Sequence, residues 1–135
     1  MKTKTALKIL FACTLSVFLF SCDPPYYIDF VNNSNSNAKV RLNLNHKNEN
    51  YRLKDLAMGD SIVFNLNKKE TSRISFGIGQ WSDSEIQNIV KSIKNIQIET
   101  NDVKIIYKNK NSIQNLFIKN REGLILQSKI EIEIK

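Results

Sequence analysis

Apolar and polar side chains alternate along most of this chain after residue 26, and no other sequence feature constrains its fold as strongly. Val40, Leu42 and Leu44 show it most clearly, since every residue between them is polar. A repeat of two is the mark of a strand with one buried and one solvated face. The pattern predicts strands at residues 26–31, 39–44, 62–66, 74–78, 96–98, 103–107, 116–118, 124–126 and 130–134.

One segment breaks this alternation. Residues 83–94 place apolar side chains at i, i+3, i+4 and i+7, starting from Ile86, which is the spacing of one helix face. Ser82 and Glu85 have the spacing of a capping box, and Trp81 stands where a hydrophobic staple to Ile86 would begin. We therefore predict one short helix near residues 83–94.

These elements predict a mainly β or α+β fold, most simply a small antiparallel β-sandwich with one helix. An immunoglobulin-like sandwich fits the spacing of the strands, although the chain lacks a Cys–Trp–Cys framework. A length of 135 residues suits one domain, which we assign to residues 26–135.

The N-terminus has the pattern of a secretory signal. Lys2, Lys4 and Lys8 precede an apolar run from Ile9 to Phe20, which is shorter than the roughly 20 residues of a membrane span. We predict that residues 1–21 are removed, and Cys13 with them, so that the mature chain cannot form an internal disulfide. The net charge then falls from +7 to +4, because the removed part holds three lysines and no acid.

Residues 19–22 resemble the lipobox of bacterial lipoproteins. Leu19 stands three residues before Cys22 and the small Ser21 directly precedes it, as in that family, whereas Phe20 departs from the usual small or β-branched residue. The resemblance implies that Cys22 becomes the first mature residue and carries a covalent lipid, with no other cofactor. The richness in Asn, Lys and Ile further resembles small lipoproteins of the Bacteroidetes type.

Residues 22–25 form a short tether in this interpretation. The prolines favour extended backbone, so residues 23–25 reach only about 10 Å and keep the domain close to the bilayer. Tyr26 and Tyr27 either touch lipid headgroups or begin the first strand. We expect a lipid-anchored protein of the cell envelope, at the outer membrane and facing the periplasm. The inner membrane stays open as an alternative, because an Asp directly after the cysteine, here Asp23, marks retention there in enteric lipoproteins. The cell surface also stays open, although lipoproteins displayed there tend to carry several acids after the cysteine and this chain has only Asp23.

Candidate catalytic and metal-binding residues are few. His46 is the only histidine and follows a strand in a polar segment, so we predict an exposed turn residue and no zinc site. Neither Ser61 nor Ser128 has an identifiable catalytic base in the sequence. We therefore predict no catalytic residue, no metal and no enzymatic activity.

Residues 77–82, GIGQWS, join a strand to a helix, as a dinucleotide-binding fingerprint would. Gly77 and Gly79 match its first two glycines, but Ser82 stands in the third position. The flanking strands alternate, which argues against a buried parallel sheet. We predict a tight turn.

Two polar motifs have structural alternatives. Residues 60–62, Asp-Ser-Ile, resemble the O-glycosylation acceptor of Bacteroidetes-type exported proteins, which would modify Ser61, although a turn into a strand explains them as well. Glu131 and Glu133 share one face of the last strand, where we predict Lys104 and Lys108 as cross-strand partners rather than acid–base chemistry.

The sequence thus predicts a membrane-anchored lipoprotein that acts as a non-enzymatic binding or assembly module. Its partners would be the membrane and another envelope protein. Nucleic acid is a poor partner, because the charge excess is mild and no arginines alternate with aromatic residues. A glycan- or small-molecule-binding lipoprotein with Trp81 and the tyrosines as an aromatic platform is the alternative, and an envelope enzyme using His46 is a weaker one.

Overall fold

The structure is a computed structural model that describes residues 24–47, 50–123 and 126–135. Its strands are, in chain order, β1 (Pro25–Asn32), β2 (Ala38–Leu44), β3 (Ser61–Leu66), β4 (Thr71–Ile78), β5 (Ile93–Glu99), β6 (Lys104–Tyr107), β7 (Arg121–Glu122) and β8 (Lys129–Ile134). Its helices are α1 (Tyr51–Leu56), α2 (Asp83–Ser92) and α3 (Lys110–Lys119).

The strands of the described residues form two four-stranded sheets. The first sheet has the order β4-β1-β8-β7 and the second the order β3-β2-β5-β6. All neighbouring strands pair antiparallel except β1 and β8, which run parallel. The predicted mainly β, largely antiparallel sandwich is therefore confirmed.

The core lies where the inner faces of the two sheets meet. Ile28 and Phe30 of β1 and Val40 and Leu42 of β2 are buried, as their alternation predicts. The rings of Phe30 and Phe64 connect the sheets, with centroids 5.9 Å apart. Each buried Ile, Leu or Phe side chain contributes about 1.5–3 kcal/mol by leaving water, so packing can hold a domain without disulfides.

The helix predicted near residues 83–94 is confirmed as α2. The Ser82 hydroxyl accepts a hydrogen bond from the Glu85 backbone N–H at 3.2 Å, which is the expected N-cap. Trp81 and Ile86, the two residues of the predicted staple, are both buried. The helix ends at Ser92, two residues earlier than predicted, because β5 begins directly after it.

The strand predicted at residues 116–118 is wrong, because this segment belongs to α3. The Asn109 side chain caps the helix by accepting from the Ser112 N–H at 2.8 Å. Ile113, Leu116 and Phe117 then form a buried i, i+3, i+4 stripe. Of the strand predicted at 124–126, residues 124 and 125 lie outside the described part, and Leu126 lies in no strand.

Helix α1 was not predicted. It is only six residues long, and Leu53 is its one buried residue, so it leaves no periodic signal in the sequence. Its sequence mark is the Asn50 cap, which accepts from the Leu53 N–H at 3.1 Å.

A buried asparagine organises the polar loop after β1. The Asn32 Nδ2 donates to the carbonyls of Ser36, Leu66 and Asn67 at 2.8, 3.2 and 3.0 Å. Its Oδ1 accepts from the N–H and the hydroxyl of Ser34 at 3.1 and 2.7 Å. One fully buried side chain therefore ties the β1–β2 loop to the turn between β3 and β4.

Replacing Asn32 with Ala should lower the free energy of unfolding by about 2–3 kcal/mol, because buried carbonyls and the Ser34 hydroxyl lose their partner. Denaturant unfolding of the purified protein measures this. Asn33→Ala is the matched control: Asn33 is exposed, and its effect should stay within about 0.5 kcal/mol. Equal effects of the two substitutions would contradict the role assigned to Asn32.

Candidate functional site

An apolar cleft of about 200 Å³ lies between the two sheets. Ile98 of β5 and Ile105 of β6 line it from the second sheet, and Ile132 and Ile134 of β8 line it from the first. Leu116 of α3 contributes a further apolar side chain. The lining therefore combines a helix with strands from both sheets, which are far apart in the sequence.

Strand β6 forms one edge of the second sheet beside this cleft. It pairs antiparallel with β5 alone among the described strands, with Ile105 opposite Ile98 and Tyr107 opposite Ile96. Half of the backbone N–H and C=O groups of such an edge strand point away from the sheet. Ile105 and Ile106 are both exposed, although Ile98 is buried. The edge thus presents backbone hydrogen-bonding groups next to apolar side chains.

The chain around this edge is basic. Residues 103–121 contain four lysines and one arginine and no acidic residue. Of the acids near the cleft, Glu99 binds Lys104 at 3.1 Å, Glu133 binds Lys135 at 2.9 Å, and Asp102 is exposed in the bend before β6. Lys104 and Arg121 are paired with Glu99 and Asp83, so the positive charge that favours an acidic partner beside β6 comes from Lys108 and Lys110.

An unpaired edge beside an apolar cleft can accept an extended peptide as an additional strand. Backbone hydrogen bonds to β6 would provide affinity, and every second side chain of the peptide would enter the cleft. The opposite edge of the sheet, β3, exposes Val63 but lies beside a polar hollow that Asn65 and Asn67 help to line. The apolar cleft thus distinguishes the β6 edge from the β3 edge.

The predicted lipid-attachment site lies outside the described residues. Cys22 and the preceding Leu19, Phe20 and Ser21 stay predictions, as does the signal peptide. Within the described part of the chain, no helix has the length and apolar character needed to span a membrane.

His46 lies on the exposed turn that the sequence predicts. Its side chain is 85% exposed, and its Nδ1 lies 3.3 Å from the carboxylate of Asp60, which is also exposed. In residues 24–47, 50–123 and 126–135, no group of three or more His, Cys, Asp and Glu side chains could hold a metal ion.

Ser61 begins β3 directly after a turn, as the structural interpretation of residues 60–62 expected. Gly59 in that turn has φ +66°, a conformation that glycine adopts without strain. The Ser61 carbonyl accepts from the Met58 N–H at 2.9 Å, and its side chain is half-buried. O-glycosylation of Ser61 stays a prediction.

The glycines of residues 77–82 form the predicted tight turn. Gly77 and Gly79 have φ +104° and +151°, and the Gly79 N–H donates to the Pro24 carbonyl at 3.0 Å. The preceding strand, β4, pairs antiparallel with β1, unlike the strands of a dinucleotide-binding unit.

Trp81 is not available as an exposed aromatic platform, because only 1% of it is exposed. Its ring packs edge-on against Tyr26 and Phe76, with centroids 4.9 and 5.0 Å away. Its Nε1 donates to the Tyr27 carbonyl at 3.0 Å. Trp81 therefore closes the core beside the start of β1, where Tyr26 and Tyr27 begin the strand as one interpretation expected.

The predicted partners of Glu131 and Glu133 are wrong. Lys104 lies in the second sheet and binds Glu99, whereas β8 belongs to the first sheet. Glu131 binds Lys129 on its own strand instead, and Glu133 binds Lys135. The sequence showed the shared face of the two carboxylates but not which strands lie beside it.

In comparisons with protein-family models, curated proteins and solved structures, nothing matches this chain. The immunoglobulin-like architecture and the lipoprotein resemblance therefore stay predictions.

The pKa of Tyr26 is raised above the ordinary 10.0, chiefly by burial and further by the carboxylate of Glu85. The folded protein therefore favours the neutral Tyr26 phenol. This contribution to stability is fully present below the pKa that Tyr26 has in the unfolded chain, and it is lost as pH rises through the higher pKa that Tyr26 has in the folded protein. We expect the stability of the protein to fall less above pH 10 in Tyr26→Phe than in the wild type. Denaturant unfolding at pH 8 and at alkaline pH measures this, and an equal alkaline loss in both proteins would contradict it.

Proposed function

We propose that this protein is a lipoprotein, anchored in the cell envelope through Cys22, that acts as a non-enzymatic binding module for an extended segment of another envelope protein. The observation that carries this proposal is the open β6 edge beside the apolar cleft. The lipobox resemblance of residues 19–22 supports the anchor. The outer membrane, facing the periplasm, is the proposed location.

The geometry of β6 supports an extended segment as the ligand. Ile105 lies opposite the buried Ile98 and lines the cleft, whereas Ile106 lies opposite Gln97 on the outer face of the sheet. A strand added to this edge would place alternate side chains next to these two isoleucines. The segment should therefore be apolar at every second position.

The charge around β6 supports an acidic partner. Lys108 and Lys110 follow the strand directly, and the chain has no acidic residue between positions 103 and 121. Complementary charges mainly accelerate association and select among partners. We expect acidic residues at the solvent-facing positions of the bound segment.

The size of the cleft favours peptide side chains over a free small molecule. Sites for drug-sized ligands usually enclose about 300–1,000 Å³, and this cleft has about 200 Å³. The burial of Trp81 also removes its indole from the aromatic platform that a glycan site would have used, and leaves the exposed Tyr51 as a single ring among the described residues. A peptide needs room for only one or two side chains, because its backbone binds the strand edge.

The anchor predicts a specific labelling result. Cells fed a radiolabelled or alkyne-tagged fatty acid should label the wild-type protein and should not label Cys22→Ser, because the variant lacks the acceptor thiol. Cys13→Ser is the matched control, and its labelling should equal that of the wild type. Equal labelling of wild type and Cys22→Ser would contradict lipidation at Cys22.

The β6 edge predicts a specific crosslinking result. A photo-crosslinking amino acid at Ile106 should capture an envelope protein in cells, and the same group at Val63 should not. The two positions are matched, since each is an exposed apolar residue on an edge strand of the same sheet.

The captured protein must then bind through β6. With the purified partner added, the backbone amides of residues 104–107 should exchange with deuterium more slowly, while those of residues 61–66 should keep their rates. Ile105→Glu should weaken binding at least tenfold. The new carboxylate would lie in the apolar cleft, and it would compete with the partner's acids for the nearby lysines. Val63→Glu, on the opposite edge of the sheet, should not weaken binding. Protection of β3 instead of β6, or capture at both positions, would overturn the proposal.

A further inference from the structure

The two ends of the sandwich differ in their exposed side chains. We call residues 50–60, 78–82 and 126–128 the tether end, because β1 begins there. We call residues 33–37, 67–70 and 100–102 the far end, because β1 ends there. Every residue of the far end is polar, with asparagine, lysine, serine, threonine and acidic side chains, whereas Val103 directly beside it is 48% exposed and, with Ile134, lines the apolar cleft.

The tether end, in contrast, exposes large apolar side chains. Met58 is 90% exposed, Ile78 is 74% exposed and Tyr51 is 60% exposed. Leu56 and Leu126 are also exposed. Single exposed apolar residues are ordinary, but a cluster at one end of a small domain marks a surface that binds something apolar.

These residues belong to one end because α1 bridges the two sheets there. The Arg52 side chain lies 3.6 Å from where a Cβ on Gly77 would be, and Gly77 pairs with Tyr26 near the start of β1. Met58, which follows α1, bridges to Ser61 at the start of β3. The loop of residues 126–128 joins the same end, since the Gln127 carbonyl accepts from the Trp81 N–H at 2.7 Å.

The chain leaves the domain through this same end. Pro25 pairs with Ile78, and the Pro24 carbonyl is fixed by the Gly79 N–H. Cys22 precedes Pro24 by only two residues. A lipid on Cys22 would therefore hold the tether end within about 10 Å of the bilayer surface.

We infer that the tether end docks on the lipid bilayer, with Met58, Ile78 and the neighbouring apolar side chains in the headgroup region. The inference rests on the proposed anchor, and it adds a surface and an orientation that the anchor alone does not specify. Tyrosine is suited to such an interface, because its ring is apolar and its hydroxyl polar. The tether end thereby becomes a second membrane contact beside the lipid.

Apolar contact, rather than charge, carries this docking. Lys54 is followed by Asp55, and His46 beside the tether end lies against Asp60, so both signs are present. We therefore expect docking on vesicles of zwitterionic phosphatidylcholine, with little dependence on salt.

Depth-sensitive fluorescence tests the inference on the full lipoprotein in phosphatidylcholine vesicles. Acylation occupies Cys22, so a cysteine introduced at Met58, Ile78 or Asn101 is the one thiol that an environment-sensitive dye can label. Labels at 58 and 78 should fluoresce severalfold more strongly than in water and should be quenched by spin-labelled lipid. The label at Asn101, on the far end, should behave as in water.

The outcomes separate docking from anchoring. If the protein floats with the vesicles while all three labels stay in water, docking is overturned and the anchor stands. If the label at 101 is quenched as strongly as the others, the orientation is overturned. If the protein does not float with the vesicles, the anchor fails, and the docking fails with it.

A charge substitution provides an internal check. The dye is attached to a cysteine that replaces Leu126. The double substitution Met58→Asp and Ile78→Asp should then abolish quenching of this dye by spin-labelled lipid, because the flanking apolar contacts with the bilayer are lost. Both residues are exposed, so folding should not suffer. Val63→Asp is the matched control and should leave the label quenched. A label at 126 that stays quenched in the double variant would count against docking through these side chains.

Discussion

The fold depends on the pairing of its first strand with its last. Tyr27–Asn32 of β1 pairs in parallel register with Lys129–Ile134 of β8, and β4 covers the other edge of β1. None of the described residues is a cysteine, so hydrogen bonds and packing alone keep this pair closed. Contacts between residues far apart in the chain are slow to form, because the entropy cost of closing the intervening loop comes before the contact stabilises the fold. The first sheet therefore cannot be complete before the C-terminal strand joins it.

Polar groups in this sheet make its register specific. The carboxylate of Asp29 is almost fully buried, and it accepts from Nε and Nη2 of Arg73 at 2.7 and 2.8 Å. The same guanidinium lies 3.6 Å above the ring of Tyr27, and its hydrogen bonds to Asp29 raise the pKa of Arg73. A shift of β1 by one residue would turn Asp29 into the core and Ile28 out of it. A shifted register would therefore also break the hydrogen bonds of Asp29 and Asn32. These two polar side chains of β1 make the register more specific than hydrophobic burial alone would.

The sequence predicted the elements that leave a local pattern of side chains. It did not predict features that depend on which strands and helices lie beside one another in the fold. Period-two alternation found β2 and β8, and the capping residues around Ser82 found α2, because one buried face leaves a regular mark. Helix α3 was missed, although its stripe from Ile113 and its Asn109 cap were present, because Leu116-Phe117-Ile118 also suits a strand. The cleft could not be predicted, since its lining comes from β5, β6, β8 and α3, whose juxtaposition follows from the sheet order. The buried role of Asn32 was equally hidden, because an asparagine in a polar stretch has no mark that separates core from surface.

The parallel pairing of β1 and β8 also determines where the proposed peptide-binding edge lies relative to the proposed membrane-docking end. Because β8 runs parallel to β1, its last residues lie toward the far end, where Ile134 and Lys135 line the cleft. Strand β6 begins near that end, since Lys104 lies opposite Glu99 at the close of β5. With the tether end on the bilayer, a segment bound to β6 would run roughly along the membrane normal. A domain of this size is roughly 35 Å across, so in the docked orientation all of it lies within about that distance of the bilayer surface. The partner must therefore present its strand close to the membrane, which favours a protein that is itself embedded in or anchored to the same bilayer.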